Sequence, residues 1–148
     1  MLNKRFLLNI PKDKFIIWWS TAIKKQIANF RDTDDLDIMC DLDILGHISK
    51  LKDKFDFTLT ESTYAEYGIF ILNFKDKTKI DIIIHNDISC LKTKLIDGYN
   101  FLDILSIIWY KMNLINNNIE RNLNKDNKHL KDIFWLYSNY IPFITTLK

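Results

Sequence analysis

Asp35 and Asp37 stand two apart in the run "RDTDDLDIMC". Five aspartates (Asp34, Asp35, Asp37, Asp41 and Asp43) fall within ten residues that also hold Leu36, Ile38 and Met39. On an extended strand, residues two apart project from the same face. Two carboxylates held that close repel each other unless a cation lies between them. A hard, oxygen-seeking ion such as Mg2+, or Mn2+, is the natural partner. A third carboxylate, Asp81, interrupts the apolar run "KIDIII", where an ionised side chain is costly to bury alone. If the two strands are neighbours, Asp35, Asp37 and Asp81 form a metal-binding set suited to in-line phosphoryl or nucleotidyl transfer. The same residues admit a plainer reading: a DxD at a strand end and an aspartate at a hairpin edge, all in water. Asp34, Asp41 and Asp43 read as surface and helix-capping residues.

The elements that must position these groups can be read from periodicity. "KFIIWW" is strand-like and gives way to a helix from Ser20, whose hydroxyl suits an N-cap. "DLDIMC" alternates, with Leu36, Ile38 and Cys40 on one face and Asp35, Asp37 and Met39 on the other. Ile44, Leu45, Ile48 and Leu51 follow at helical spacing, with Asp41 or Asp43 placed as the cap. Three strand-like runs come next: "DFTLTES", "GIFILNF" and "KIDIIIH". The last two are joined by the polar turn "KDKT" into a hairpin. "NFLDILSIIWYKMNLINN" and "NKHLKDIFWLYSNYI" then read as amphipathic helices. The order predicts an α/β (α+β) fold, a small mixed sheet with flanking helices and a C-terminal helical segment.

The totals set outer bounds. At 148 residues, 47% hydrophobic and 14% aromatic, the chain has material for one packed core. We therefore expect a single domain over 1–148, with the sheet core over about 12–90 and the helices over about 100–145. A net charge of +2, from 21 basic and 19 acidic residues, neither demands nor excludes nucleic acid, so any basic surface must be local. The N-terminal segment lacks the pattern of a cleaved leader, and the longest apolar runs are far below a membrane span. A soluble, cytoplasmic protein without membrane contact is expected. Cys40 and Cys90, both in apolar runs, read as reduced core thiols. His47 and His85 lack zinc-ligand spacing, and the chain has no P-loop, G-x-G-x-x-G or G-x-S-x-G. Tyr64, Tyr67, Phe70, Trp109, Trp135 and Tyr137 read as packing residues rather than base-stacking platforms.

One resemblance ties these pieces together. "RDTDDLDIM", with Arg31, Thr33, Asp35, Leu36, Asp37 and Ile38, resembles the R-x-T-x-D-[IL]-D-[LI] pattern of the DNA polymerase β-like nucleotidyltransferase superfamily, in its small bacterial and toxin-type members. Asp81 falls where that family carries its third carboxylate. Lys111, in "SIIWYKM", matches the lysine that reaches the triphosphate. "NKHLKDIFWL" resembles the family's closing helix, with Lys128, His129 and Asp132 at matching places. The resemblance spans roughly residues 15–140. It implies transfer of NMP from an NTP to an acceptor hydroxyl on an RNA 3′ end, a protein side chain or a small molecule, with pyrophosphate released. It further implies Mg2+ or Mn2+ at Asp35, Asp37 and Asp81, and nucleotide contacts from Ser20, Thr21, Thr33 and Lys111. Arg31, Arg121, Lys128, Lys131 and Asp132 become candidates for substrate contact. Toxin–antitoxin settings, with a cognate regulatory protein, are typical of the resemblance. The chain departs from the pattern at one place. Where the family puts a Gly-Gly or Gly-Ser pair before the helix, this sequence reads Trp18-Trp19-Ser20-Thr21-Ala22. The alternative implied by that loss is a catalytically silent module that binds a partner protein or nucleic acid.

Overall fold

The computed structural model describes residues 2–32, 36–62, 69–116 and 123–139. The predicted mixed sheet is present and larger than its sequence outline. It has seven strands: β1 (Phe15–Trp18), β2 (Leu36–Cys40), β3 (Phe57–Ser62), β4 (Ile69–Phe74), β5 (Lys79–Ile84), β6 (Thr93–Ile96) and β7 (Tyr99–Leu102), in the order β3-β4-β5-β2-β1-β7-β6. β2 runs parallel to β5 and β1 parallel to β7, while the other neighbours are antiparallel. Among the described residues six α-helices flank it: α1 (Leu2–Leu7), α2 (Trp19–Gln26), α3 (Leu42–Ser49), α4 (Lys52–Phe55), α5 (Ile104–Asn116) and α6 (Leu123–Asn139).

The core forms because both faces of the central strands are covered. All residues of β1 and β2 are buried, so the expected alternation along "DLDIMC" separates two buried faces rather than core from solvent. On one face, Phe6 of α1 meets Phe55, Phe57 and Phe74 edge-on, with ring centroids 5.4–5.9 Å apart. On the other, α5 contributes Ile104, Ile107 and Ile108, and α6 contributes Ile133 and Leu136.

Several local expectations are corrected. The sheet does not close near residue 90: "TKLI" and "YNFL" form a hairpin whose second strand joins β1. Asp97 (φ 52°) and Gly98 (φ 83°) make its two-residue turn, the Asp-Gly form that suits a right-twisted hairpin. Asn100–Leu102 are therefore strand, and α5 starts at Ile104. Ser20 is not an N-cap. The helix begins one residue earlier, with Trp18 at the cap position and no side-chain cap bond. Asp41 does cap α3, its carboxylate accepting from the Ile44 amide at 2.9 Å. Cys40 is a core thiol, its pKa pushed up by burial to about 12. Cys90 is exposed, and its Sγ donates to the Asp87 carbonyl at 3.0 Å.

Candidate active site

The site is built where β2 and β5 lie side by side. Their parallel register pairs Asp37 with Asp81, and β1 places Trp18 opposite Asp37 on the other side. Register partners share a face, and adjacent strands lie about 4.8 Å apart. Two carboxylates thus project together from one face of the sheet. Asp37 is buried and Asp81 half-buried.

The charge opposing them comes from α5. Lys111 is buried, with Nζ 4.0 Å from the Trp19 ring centroid and 4.9 Å from that of Trp18. Burial drives its pKa down to about 8, against the pull of Asp37, Asp81 and Asp132, which favour the charged form; nearby Lys128 opposes it. The ammonium is therefore held between two indole faces and a carboxylate cluster.

The turn into α2 carries two tryptophans on a backbone shape that small residues adopt more easily. Trp19 has φ 60°, a left-handed conformation that glycine adopts freely and a bulky side chain adopts at a cost. Both indoles are buried. Trp19 also meets the ring of His129 edge-on at 5.4 Å. Its strained backbone thus turns the indole into a contact shared by α2, α5 and α6.

α6 is tied to the segment before β2 by a two-pronged ion pair. Arg31 donates from Nε to Asp132 Oδ1 at 2.9 Å and from Nη2 to Oδ2 at 2.8 Å. Asp132 is buried, and the Arg31 side chain is 38% exposed. Arg31 and Asp132, put forward from the sequence as substrate contacts, thus hold each other. Lys128 and Lys131 are exposed on α6. Ser20 is buried in the first turn of α2, and Thr21 is half-buried beside it. Asp35, Thr33 and Arg121 lie outside the described residues.

The donor set can be tested for a metal. Among the described residues no three potential ligands of the acid, His or Cys type come together; Asp37 and Asp81 are two. Paired carboxylates without sulfur or imidazole fit a hard cation of the Mg2+ or Mn2+ type. A polar cavity of about 350 Å3, bordered by Lys14, Asp41, Asp87 and Ser89, lies at the opposite end of the sheet and contains none of these groups.

No protein-family model and no curated protein matches the sequence. Solved structures do. The antibiotic-resistance factor ANT(2'')-Ia, in complex with adenylyl-2''-tobramycin, superposes with TM-score 0.62 at 17% identity, covering 99% of this chain and 92% of that one. A candidate nucleotidyltransferase from Thermotoga maritima gives TM-score 0.55 at 11% identity, with 93% and 92% covered. The chain has the nucleotidyltransferase fold. JHP933 from Helicobacter pylori matches with TM-score 0.58 at 18% identity over 94% of this chain, which spans 64% of the length of that protein. Within this fold, the groups that sequence reasoning did not assign are Trp18 and Trp19 as partners of the lysine, and Arg31–Asp132 as a mutual pair. The first was signalled only by missing glycines. The second joins residues 101 apart in the chain, a separation no local motif spans.

Proposed function

We propose that the chain is a metal-dependent nucleotidyltransferase that moves NMP from an NTP to an acceptor hydroxyl and releases pyrophosphate. The observation that supports it is the register pairing of Asp37 with Asp81 beside the Lys111 ammonium. In this reading Asp37 and Asp81, with Asp35, hold Mg2+ or Mn2+. When bound there, the cation neutralises triphosphate charge and favours the ionised acceptor oxygen. Lys111 supplies a compact positive charge to phosphate oxygens. The tryptophans keep water away from that charge, which strengthens it. The acceptor oxygen bonds to the α-phosphorus as the bond from that phosphorus to the bridging oxygen breaks. Pyrophosphate leaves, and the hydroxyl proton passes to Asp81 or to water.

A second reading, a catalytically silent module that binds a partner protein or nucleic acid, draws on one observation. Trp18 and Trp19 are buried beside Lys111, in the stretch where the resembling family has glycines. The two separate on thermal unfolding with each NTP, with and without Mg2+ or Mn2+, alongside a pyrophosphate-release assay. Saturation at one hundred times Kd stabilises by about 2.7 kcal/mol. We expect a metal-dependent rise in Tm with at least one NTP, absent in Asp37→Asn. No rise with any NTP, and an Asp37→Asn protein at least as stable as the wild type, would favour the silent module.

A further inference from the structure

The carboxylate pair stands at the border between a covered and an open part of one sheet face. Beyond Asp81, the same face continues through Ile71 and Asn73 of β4 to Thr60 and Thr58 of β3, by register. These side chains are half-buried or exposed, and Asn73 Nδ2 donates to Thr60 Oγ1 at 3.2 Å. The result is a platform leading up to Asp81, polar at Thr58, Thr60 and Asn73, with Ile71 next to Asp81 itself.

The rim of that platform is basic. Lys79 lies two residues before Asp81, on the same face and opposite Asn73, and is exposed. Lys75 and Lys77 continue the rim around the β4–β5 turn, both exposed. An ion pair between Lys75 and Asp56 brings the end of α4 to the turn, while Lys54 of that helix turns away from the platform, its Nζ donating to Asn9 Oδ1 at 2.9 Å. Residues 75–79 alone contain three lysines and one aspartate, an excess of two in a chain whose whole net charge is +2. On the other flank of the carboxylates, α6 presents Lys128 and Lys131. Positive charge is therefore gathered at the carboxylate end of the sheet. It lies on both sides of the site and apart from the buried Lys111.

We propose that this rim and platform bind the phosphodiester backbone of a single-stranded nucleic acid and deliver its terminal hydroxyl to Asp81. The proposal rests on the nucleotidyl-transfer reading and names its acceptor class. Lysines on an open rim are point charges that follow a flexible polyanion without reading bases. Thr58, Thr60 and Asn73 supply hydrogen bonds to sugar and phosphate oxygens. An amine-rich acceptor such as tobramycin would meet like charge along the same rim.

The test is fluorescence anisotropy with an end-labelled RNA of about twenty nucleotides and a DNA of the same sequence, titrated at several salt concentrations. Wild type is compared with Lys75→Glu/Lys77→Glu/Lys79→Glu and with Lys14→Glu at the opposite end of the sheet. Melting by circular dichroism checks that each variant is folded. We expect wild type and Lys14→Glu to bind alike, and the triple variant to bind at least tenfold more weakly. Its slope of log K against log salt should be shallower by about 2, from three lost contacts at roughly 0.7 each. Equal binding of RNA and DNA would identify the backbone as the ligand; preference for RNA would add the 2′-hydroxyl. Failure of both strands to bind, equal binding by the triple variant, or tobramycin binding in their place would overturn the proposal. Loss of the catalytic reading registers separately. Strand binding that depends on the lysines, in a protein giving no metal–NTP shift, would remove the word acceptor and leave the binding face.

Discussion

At the scale of single residues, Trp19 joins a cost to a use. A left-handed backbone under a bulky side chain costs about 1–3 kcal/mol, yet the ring fills the core and covers the Lys111 ammonium. Trp18 is buried to the same degree but sits on extended backbone, with φ −139°. Removing either ring should cost several kcal/mol, but only Trp19→Gly recovers the strain. We therefore expect Trp19→Gly to be less destabilising than Trp18→Gly by about 2 kcal/mol in urea unfolding. Equal losses would mean that the φ 60° backbone is not strained.

At the scale of elements, the Arg31–Asp132 pair docks α6 against the segment that leads into β2. The partners differ in exposure, and that sets the direction of the effect. Arg31→Met takes both guanidinium hydrogen bonds from a buried carboxylate and leaves it only the attraction of Lys111, whereas Asp132→Asn leaves a guanidinium that water can reach. Arg31→Met should be the costlier single change. A double-mutant cycle should give a coupling of about 1–2 kcal/mol, reduced by the partial exposure of Arg31. Additivity within error would sink the docking role.

Elements also differ in how plainly the sequence announced them. β2, β5, the β4–β5 hairpin and the helix around Lys111 follow from local pattern, because their apolar residues recur at strand or helix period. The β6–β7 hairpin was signalled only by Asp97-Gly98, and its short exposed first strand lacks the apolar alternation that marks a strand. α1 was hidden by its brevity, its place in the core resting on Phe6. Asp37 and Asp81 stood out as chemically expensive residues. Their pairing is a parallel register between strands more than forty residues apart, fixed by the whole sheet.

At the scale of the molecule, the buried lysine couples proton binding to folding. Lys111 titrates near 8 when folded and near 10.4 when unfolded, so between those values the unfolded chain binds more protons. Its burial is a full cost below pH 8, and that cost fades as pH rises towards 10.4. Cys40 acts in the opposite sense, since a thiol raised to about 12 makes the folded state the better proton binder above pH 9. The difference between wild type and Lys111→Met isolates the lysine. Relative to the variant, wild-type stability should rise by about 3 kcal/mol between pH 8 and 10.5, measured by denaturant unfolding at each pH. A flat difference would mean that the amine reaches water.

The indole pair has an optical consequence. Of the four tryptophans, Trp109 is 62% exposed and Trp135 is half-buried, and among the described residues only Trp18 and Trp19 pack against a cation. Their ultraviolet emission is therefore tuned by the position of one ammonium group. Any molecule that draws Lys111 away from the rings alters the colour and brightness of the protein's own light, so the site carries its reporter in Trp18 and Trp19.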